Sequence, residues 1–439
     1  MGKVHSMTRF AFTAAGVAAG FLAGLAVLAR ADTAPDSESA YHALDRFGQA
    51  FSVVRADYVE APDDKLLVES ALSGMISNLD PHSSYFDPKT YSDMQVRTEG
   101  QYGGVGIVIS VEGGAVKVVS PIDDTPASAA GVKSGDIILA VDGKGLQGLS
   151  LDQVQLLLRG KAGSKVTLTF MRGSSDKSFD VKLTRAFIEV EAVKFHREGD
   201  VGYIRIPAFN EHTDSGLQTA VRTLKKQIGP KLRGYIIDLR DDGGGVLDQA
   251  IAVSDDFLEG GEIVSTRGRD PSDTQRYDAK PGDITDGKPV VVLTNRGTAS
   301  ASEIVAGALQ DHKRARIVGM TSFGKGSVQT IIPLNGGDDG ALHLTTARYY
   351  TPSGRSIQAT GIVPDIAVAQ GDETNATPAE NYTEADLPHH LVGETTPAAS
   401  TAAPIRPPAG SKIADFQLSY AVDLLDGKVG PKAIAEKGK

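Results

Sequence analysis

Val290-Val291-Val292-Leu293-Thr294-Asn295-Arg296-Gly297-Thr298-Ala299-Ser300-Ala301-Ser302-Glu303 passes from an apolar run through a small, polar turn into the start of a helical pattern. An unbroken β-branched run suits a strand buried on both faces. The same order occurs upstream: Gly202 to Ile206 precedes the helical Leu217 to Gln227, and Tyr235 to Leu239 precedes the helical Leu247 to Leu258. With Ser300 to Asp311 as the next helix, strands and helices alternate, which predicts an α/β core around a buried sheet.

Outward from this core the texture changes. Between Gln101 and Arg185, short alternating runs predict strands at Val105 to Val111, Ala115 to Ser120, Ile137 to Val141 and Val166 to Met171. Helices are expected at Pro126 to Ala130 and Leu151 to Leu158. Further upstream, Tyr41, Leu44, Phe47, Phe51 and Val54 repeat at helical spacing and predict one buried face, as do Leu67, Ala71, Leu72 and Met75. Leu79-Asp80-Pro81-His82-Ser83-Ser84-Tyr85-Phe86 breaks that pattern. Beyond Val368 a Thr-, Ala-, Pro- and Glu-rich stretch without periodicity predicts a flexible linker, and Phe416 to Leu425 a returning helix. The expected divisions are 1–31, 36–97 (helical), 98–185 (β-rich), 186–368 (α/β core), 369–412 (linker) and 413–439 (C-terminal helical segment).

Lys3 and Arg9 precede an apolar stretch from Phe10 to Ala29, followed by Ala29-Arg30-Ala31 and an acidic, proline-containing segment. That order predicts an export signal, cleaved after Ala31 or retained as a membrane anchor. Any membrane contact is expected through this segment alone, and the location is extracytoplasmic: periplasm or cell envelope. The 439 residues carry a formal net charge of -10, with 41% hydrophobic and 23% charged residues, as in a soluble multidomain protein. The absence of a long basic run argues against a nucleic-acid partner. No cysteine is present, which removes disulfides, thiolate metal sites and thiol catalysis.

The sequence lacks His-Glu-x-x-His, a Gly-x-Ser-x-Gly elbow and clustered ligands at metal spacing, so neither metal-assisted hydrolysis nor a conventional hydrolase triad is expected. Ser300 at a helix start sits beside unsatisfied N–H groups that can receive an oxyanion. Ser300-x-x-Glu303 is equally a capping box. Gly324-Lys325-Gly326 can aim a desolvated lysine inward as a general base, or leave it solvated in a turn. Gly319 to Lys325 has the spacing of a phosphate loop, but Gly326 replaces the magnesium-binding hydroxyl. Ser322-Phe323-Gly324-Lys325 reads Ser-x-x-Lys, but its glycines oppose the helix that motif needs. Asp238-Leu239-Arg240-Asp241-Asp242-Gly243-Gly244-Gly245 frees backbone donors for an anion, or is a plain glycine turn.

Together these segments resemble the C-terminal processing peptidases, or tail-specific proteases, of the S41 serine peptidase family. The resemblance extends from Tyr41 to Leu425. It includes Leu79 to Ser83, Tyr102-Gly103-Gly104-Val105-Gly106-Ile107, Thr298 to Glu303 and Phe323-Gly324-Lys325-Gly326-Ser327-Val328-Gln329. It implies a multidomain α/β fold: a helical N-terminal domain, a permuted PDZ domain, a ClpP/crotonase-like peptidase core and a C-terminal helical extension. It implies Ser300 as nucleophile, Lys325 as general base, Gln329 orienting the lysine, and an oxyanion hole from the N–H groups of Gly244 and Ala301. Gly243 and Asp242 stand where many members have proline and asparagine. Tyr102 to Ile107 would hold a substrate's C-terminal carboxylate, and Arg159 would link PDZ position to the active site. No metal or organic cofactor is implied. The implied partners are proteins or peptides with free, mostly apolar C-termini, alongside an adaptor or self-association. A catalytically silent PDZ scaffold is the alternative, and the sequence leaves open whether the resting enzyme needs an activator.

Overall fold

The computed structural model describes residues 37–112, 115–122, 124–133, 135–149, 151–172, 177–189, 191–371, 383–394, 403–408, 410–411 and 413–429. The expected export signal at 1–31 lies outside them. The chain forms two compact units, Met1–Leu72 and Ser73–Lys439. The first contains α1 (Ser37–Asp57) and the start of α2 (Asp64–Ser77), where Asp63 accepts the N–H groups of Lys65 and Leu66 as a cap. The predicted buried face of α1 is exposed among the described residues: Tyr41 is 73% and Leu44 65% accessible. Helical spacing identifies the face that can be buried, but not what covers it.

In the second unit, β1 (Ser84–Phe86) precedes α3 (Pro88–Glu99). Asp87 caps α3 through the N–H groups of Lys89 and Thr90, Pro88 occupies its first turn, and Gly100 in the left-handed region ends it. β1 pairs with a core strand described below. The end of the expected helical domain 36–97 is therefore sheet-bound and part of the second unit, because the break at Pro81 releases the chain to pair.

The β-rich module begins with β2 (Gln101–Gly104), β3 (Ile107–Glu112), β4 (Ala115–Pro121), α4 (Pro126–Ala129), β5 (Ile137–Val141) and β6 (Lys144–Gly145). It continues with α5 (Leu151–Leu158), β7 (Lys165–Met171), β8 (Ser178–Thr184) and β9 (Ala186–Glu189). Its sheet runs β3-β4-β5-β7-β8, while β2 pairs with β9. Val118, Val154, Leu168 and Phe170 form the centre of an independent core.

The α/β core holds β10 (Lys194–Glu198), β11 (Val201–Arg205), α6 (Thr213–Ile228), β12 (Gly234–Asp238), α7 (Leu247–Asp255), β13 (Gly261–Gly268), β14 (Gln275–Ala279) and β15 (Val290–Thr294). After these come α8 (Ala301–Asp311), β16 (Ala315–Gly319), β17 (Ser327–Pro333), β18 (Ala341–Tyr350) and β19 (Ile366–Ala367), with α9 (Phe416–Leu425) last. One sheet has the order β10-β11-β12-β15-β16-β19, parallel except for β10. Every residue of β12 and β15 is buried, the apolar runs Tyr235 to Ile237 and Val290 to Leu293 together with the polar Asp238 and Thr294 at their carboxyl ends. On one face Ile204, Ile237 and Val292 pack with α6, α7 and α8; on the other Ile236 and Leu293 pack with Ala421 and Leu424 of α9. Full burial of such a side chain stabilises by about 1.5–3 kcal/mol. Arg240 ties α9 to the glycine turn by bonding Asp238 and the α9 cap Asp415, both bidentately. The antiparallel second sheet joins β1, β18, β13 and β14, with β17 also on β18.

The expected linker 369–412 needs correction in its described parts. Glu384–Asp386 forms a 3-10 turn, and Glu384 is wholly buried. No hydrophobic period marks this anchor, because polar bonds hold it.

Candidate active site

β12 and β15 are parallel neighbours, so the loops after their carboxyl ends meet, as ligand sites in open α/β sheets do. The first is the glycine turn and the second leads to Ser300. Ala299 N–H donates to Asp242 O at 2.9 Å, and Thr298 Oγ1 donates to Leu239 O at 2.8 Å, fastening the loops together. Ser300 stands at the N-cap of α8 with φ 56° and ψ −118°, a conformation a non-glycine residue keeps only where its surroundings impose it. Gly244 supplies part of that surrounding. A Cβ there would lie 2.7 Å from Ala299 O, 2.8 Å from Ala301 N and 2.9 Å from Ser300 Cβ.

Lys325 lies between β16 and β17. Ser300, Lys325, Gln329, Gly244 and Ala301 all line one cleft of about 450 Å³, whose walls include the apolar Met94, Val246, Leu247, Ile304, Val328 and Ile331. Burial holds the Lys325 amine below the usual lysine range, opposed by the charges of Glu384, Glu303 and Asp80. Less water around the ammonium favours the neutral, basic form. His343, also in the cleft, is held low by burial and then by the Lys325 charge.

Glu303 does more than close a capping box. Its wholly buried carboxylate accepts the N–H groups of Ser300 (2.9 Å), Gly324 (2.8 Å) and Lys325 (2.9 Å), and the Ser322 hydroxyl (2.5 Å). Burial pushes the group up to about 7, while those donors favour the carboxylate. The backbones of Ser300 and Lys325 thus hang from one side chain. Tyr349 adds a second bridge: its buried hydroxyl bonds the carbonyl oxygens of Lys325 and Ser300.

Two expected relations are absent. Gln329 Nε2 donates to Ser327 Oγ (2.9 Å) and Thr345 Oγ1 (3.1 Å), and no hydrogen bond joins Gln329 to Lys325. Gln329 lines the cleft from β17, but the neighbouring hydroxyls take its amide. Gly244 N–H is not free for an oxyanion, since it donates to Asp242 Oδ1 at 2.8 Å. An acidic residue followed by glycine lets the turn close on itself as an Asx turn. Asp242 Oδ2 is buried without a hydrogen-bond partner, and burial pushes the carboxyl up to about 7 against the pull of the Gly244 N–H. Ala301 opens the first turn of α8, where helix N–H groups lack an intrahelical partner.

In the β-rich module, Tyr102, Gly104, Val105, Gly106 and Ile107 line a groove of about 220 Å³ with Ile109, Ile122, Leu158 and Arg159. Gly103 does not join them: a Cβ there would lie 2.1 Å from Gly160 O, so this glycine serves close packing. The expected loop is also shorter, since Tyr102 to Gly104 pair in β2. Arg159 lies over the Tyr102 ring at 4.9 Å and 3.5 Å from Asp93 of α3. The same helix contributes Met94, Arg97 and Thr98 to the cleft lined by Ser300 and Lys325. Sequence reading missed Asp93, Tyr349 and Glu384, and took Glu303 only as a cap. The capping-box spacing was a signal for Glu303; the others had none locally.

The family model for peptidase family S41 matches residues 200–368, a PDZ domain model 103–183 and the activating protease CtpB N-terminal domain model 23–90. A carboxy-terminal-processing protease of Bartonella bacilliformis is 50% identical over 93% of this chain and 94% of its own length. Carboxy-terminal processing protease CtpB of Bacillus subtilis is 34% identical over 82% of this chain and 73% of its own. CtpA of the same organism is 36% identical over 74% and 68%. With the core fold, the PDZ module and these relatives in agreement, the chain belongs to peptidase family S41 and is a serine-type, carboxy-terminal processing peptidase with a PDZ domain, a module that binds peptide C-termini.

Proposed function

We propose that this protein is an exported endopeptidase that cuts through an acyl-enzyme on Ser300, with neutral Lys325 as general base, after its PDZ groove has taken the substrate's C-terminal tail. The observation that carries the reading is the shared suspension of Ser300 and Lys325 from the Glu303 carboxylate at one cleft. In the reaction Lys325 removes the Ser300 proton, Ser300 attacks the scissile carbonyl, and Ala301 N–H and a reoriented Gly244 N–H receive the oxyanion. The protonated lysine then supplies the leaving amine with its proton, and water releases the acyl group. Substrates are envelope proteins with apolar or small C-terminal residues, which suit the Ile107, Ile109 and Leu158 wall of the PDZ groove.

The Asp242 bond to Gly244 and the turning of Gln329 toward Thr345 favour a resting conformation that substrate must rearrange. Arg159, Asp93 and α3 offer a route from tail binding to the cleft. Because Arg159 also lines the groove, the route is read from kcat at saturating peptide: Arg159→Ala would lower it, and an unchanged kcat removes the route. The main test is cleavage of a peptide with a free apolar C-terminus by wild type, Ser300→Ala and Lys325→Ala. Both variants are expected to lose turnover while retaining tail binding, and near wild-type turnover by either refutes the mechanism.

A further inference from the structure

The wholly buried Glu384 comes from beyond the S41 family match, yet it reaches the Lys325 loop by several bonds. Its backbone N–H donates to Phe323 O at 3.1 Å. Its Oε1 accepts from Gln358 Nε2 at 2.8 Å, and Gln358 Oε1 accepts the Gly326 N–H at 2.9 Å. Its Oε2 lies 2.8 Å from His82 Nε2, so the Asp80-to-Ser83 turn is tied to the same carboxylate. Ala359 N–H donates to Gly324 O at 2.9 Å and completes the bracket around the loop.

We infer that Glu384 is a positioning residue for Lys325: with Gln358 and His82 it clamps the loop that presents the lysine, and it places a negative charge beside the amine. The inference rests on Lys325 being the base. No other proposed role requires a carboxylate here. The Phe323 and Gly326 bonds shape the loop, the latter through the Gln358 that Glu384 Oε1 holds, and the buried charge in addition acts on the lysine's proton. The other charged or titratable groups acting on that amine are Glu303 from α8, Asp80 from the turn and His343 from β18, while His82 bonds the Glu384 carboxylate and Tyr349 the Lys325 carbonyl. The Glu384 charge raises the lysine against the desolvation that lowers it.

The sign of the test follows. Glu384→Gln keeps the shape and an acceptor for Gln358 but removes the charge, so Lys325 becomes neutral at lower pH. The acid limb of kcat/KM is measured against pH on a free-tailed peptide for wild type, Glu384→Gln and Glu384→Asp. For Glu384→Gln the limb is expected at lower pH than wild type; Glu384→Asp, which retains a charge, holds the limb near wild type while kcat falls at least about tenfold from lost positioning. A Glu384→Gln limb that coincides with wild type overturns the inference. If Glu384→Gln does not fold, as judged by circular dichroism, Glu384→Asp decides: a lower kcat at unchanged KM supports the inference and an unchanged kcat overturns it. Lys325→Ala in the same assay separates the two ideas, because cleavage by that variant would refute the base itself rather than its positioning.

Discussion

Gly244→Ala probes a close backbone approach beside Ser300. The added Cβ would meet Ala299 O at 2.7 Å, Ala301 N at 2.8 Å and Ser300 Cβ at 2.9 Å, and the residue has φ 93°. Backbone atoms cannot swing aside as a long side chain does. Overpacking of this kind costs about 1–3 kcal/mol, and a positive φ on a residue with a Cβ about 1–2 kcal/mol more. At about 1–2 °C per kcal/mol for a chain of 439 residues, Tm is expected to fall by roughly 2–10 °C. The turn would also move away from Ser300, so the Gly244 N–H could not reach an oxyanion, and kcat should fall about 10²–10³-fold. Gly243→Ala is the control, since its Cβ would meet nothing within 4 Å and its φ is ordinary. Peptide hydrolysis and thermal unfolding of both variants form the assay. A Gly244→Ala enzyme keeping more than about a tenth of wild-type kcat, or a Gly243→Ala enzyme as impaired, would refute the reasoning.

Asp242→Asn should flatten the pH dependence of stability. Burial raises the Asp242 pKa from 3.8 to about 7, so between those values the folded state keeps a proton that the unfolded chain has lost. Raising pH through that window destabilises wild type, by up to about 1.4 kcal/mol per pH unit from this group, and the Asn variant escapes the loss. The excess in Tm of Asp242→Asn over wild type should therefore grow from pH 4 to 7, and parallel curves would exclude the effect. Amidating the C-terminus of a peptide should weaken its binding to the Ser300→Ala protein by about tenfold to a hundredfold, because a charge-assisted bond becomes a neutral one. Equal affinity, read by calorimetry, would remove carboxylate capture by the Val105-Gly106 segment.

Local chemistry made the core legible. Val290 to Leu293 had to be a buried strand, and the small residues after it had to turn into a helix; the structure starts α8 at Ala301 with Ser300 as its cap. Leu151–Leu158 and Phe416–Leu425 form helices at the expected positions, the second burying Ala421 and Leu424. What depends on distant partners was not legible. β1 reads as part of a helix-breaking loop but pairs with β18, more than two hundred positions away in the chain. Glu384 lies in a stretch of linker composition, and only Phe323, Gln358 and His82, brought together by folding, make it an anchor. Asp242 is the converse case. The sequence shows the acid in the turn, but not that its carboxylate takes the Gly244 N–H that an oxyanion would need.

The central claim is that Lys325 makes Ser300 a nucleophile. It is tested most directly by incubating the full chain with a fluorophosphonate, which is attacked by an activated serine, and locating the adduct by tandem mass spectrometry. A single adduct on Ser300 in wild type is expected, absent from Ser300→Ala and formed far more slowly in Lys325→Ala, with a rate that rises with pH as the lysine loses its proton. An adduct on another residue, or labelling of Ser300 at the same rate with and without Lys325, would contradict it.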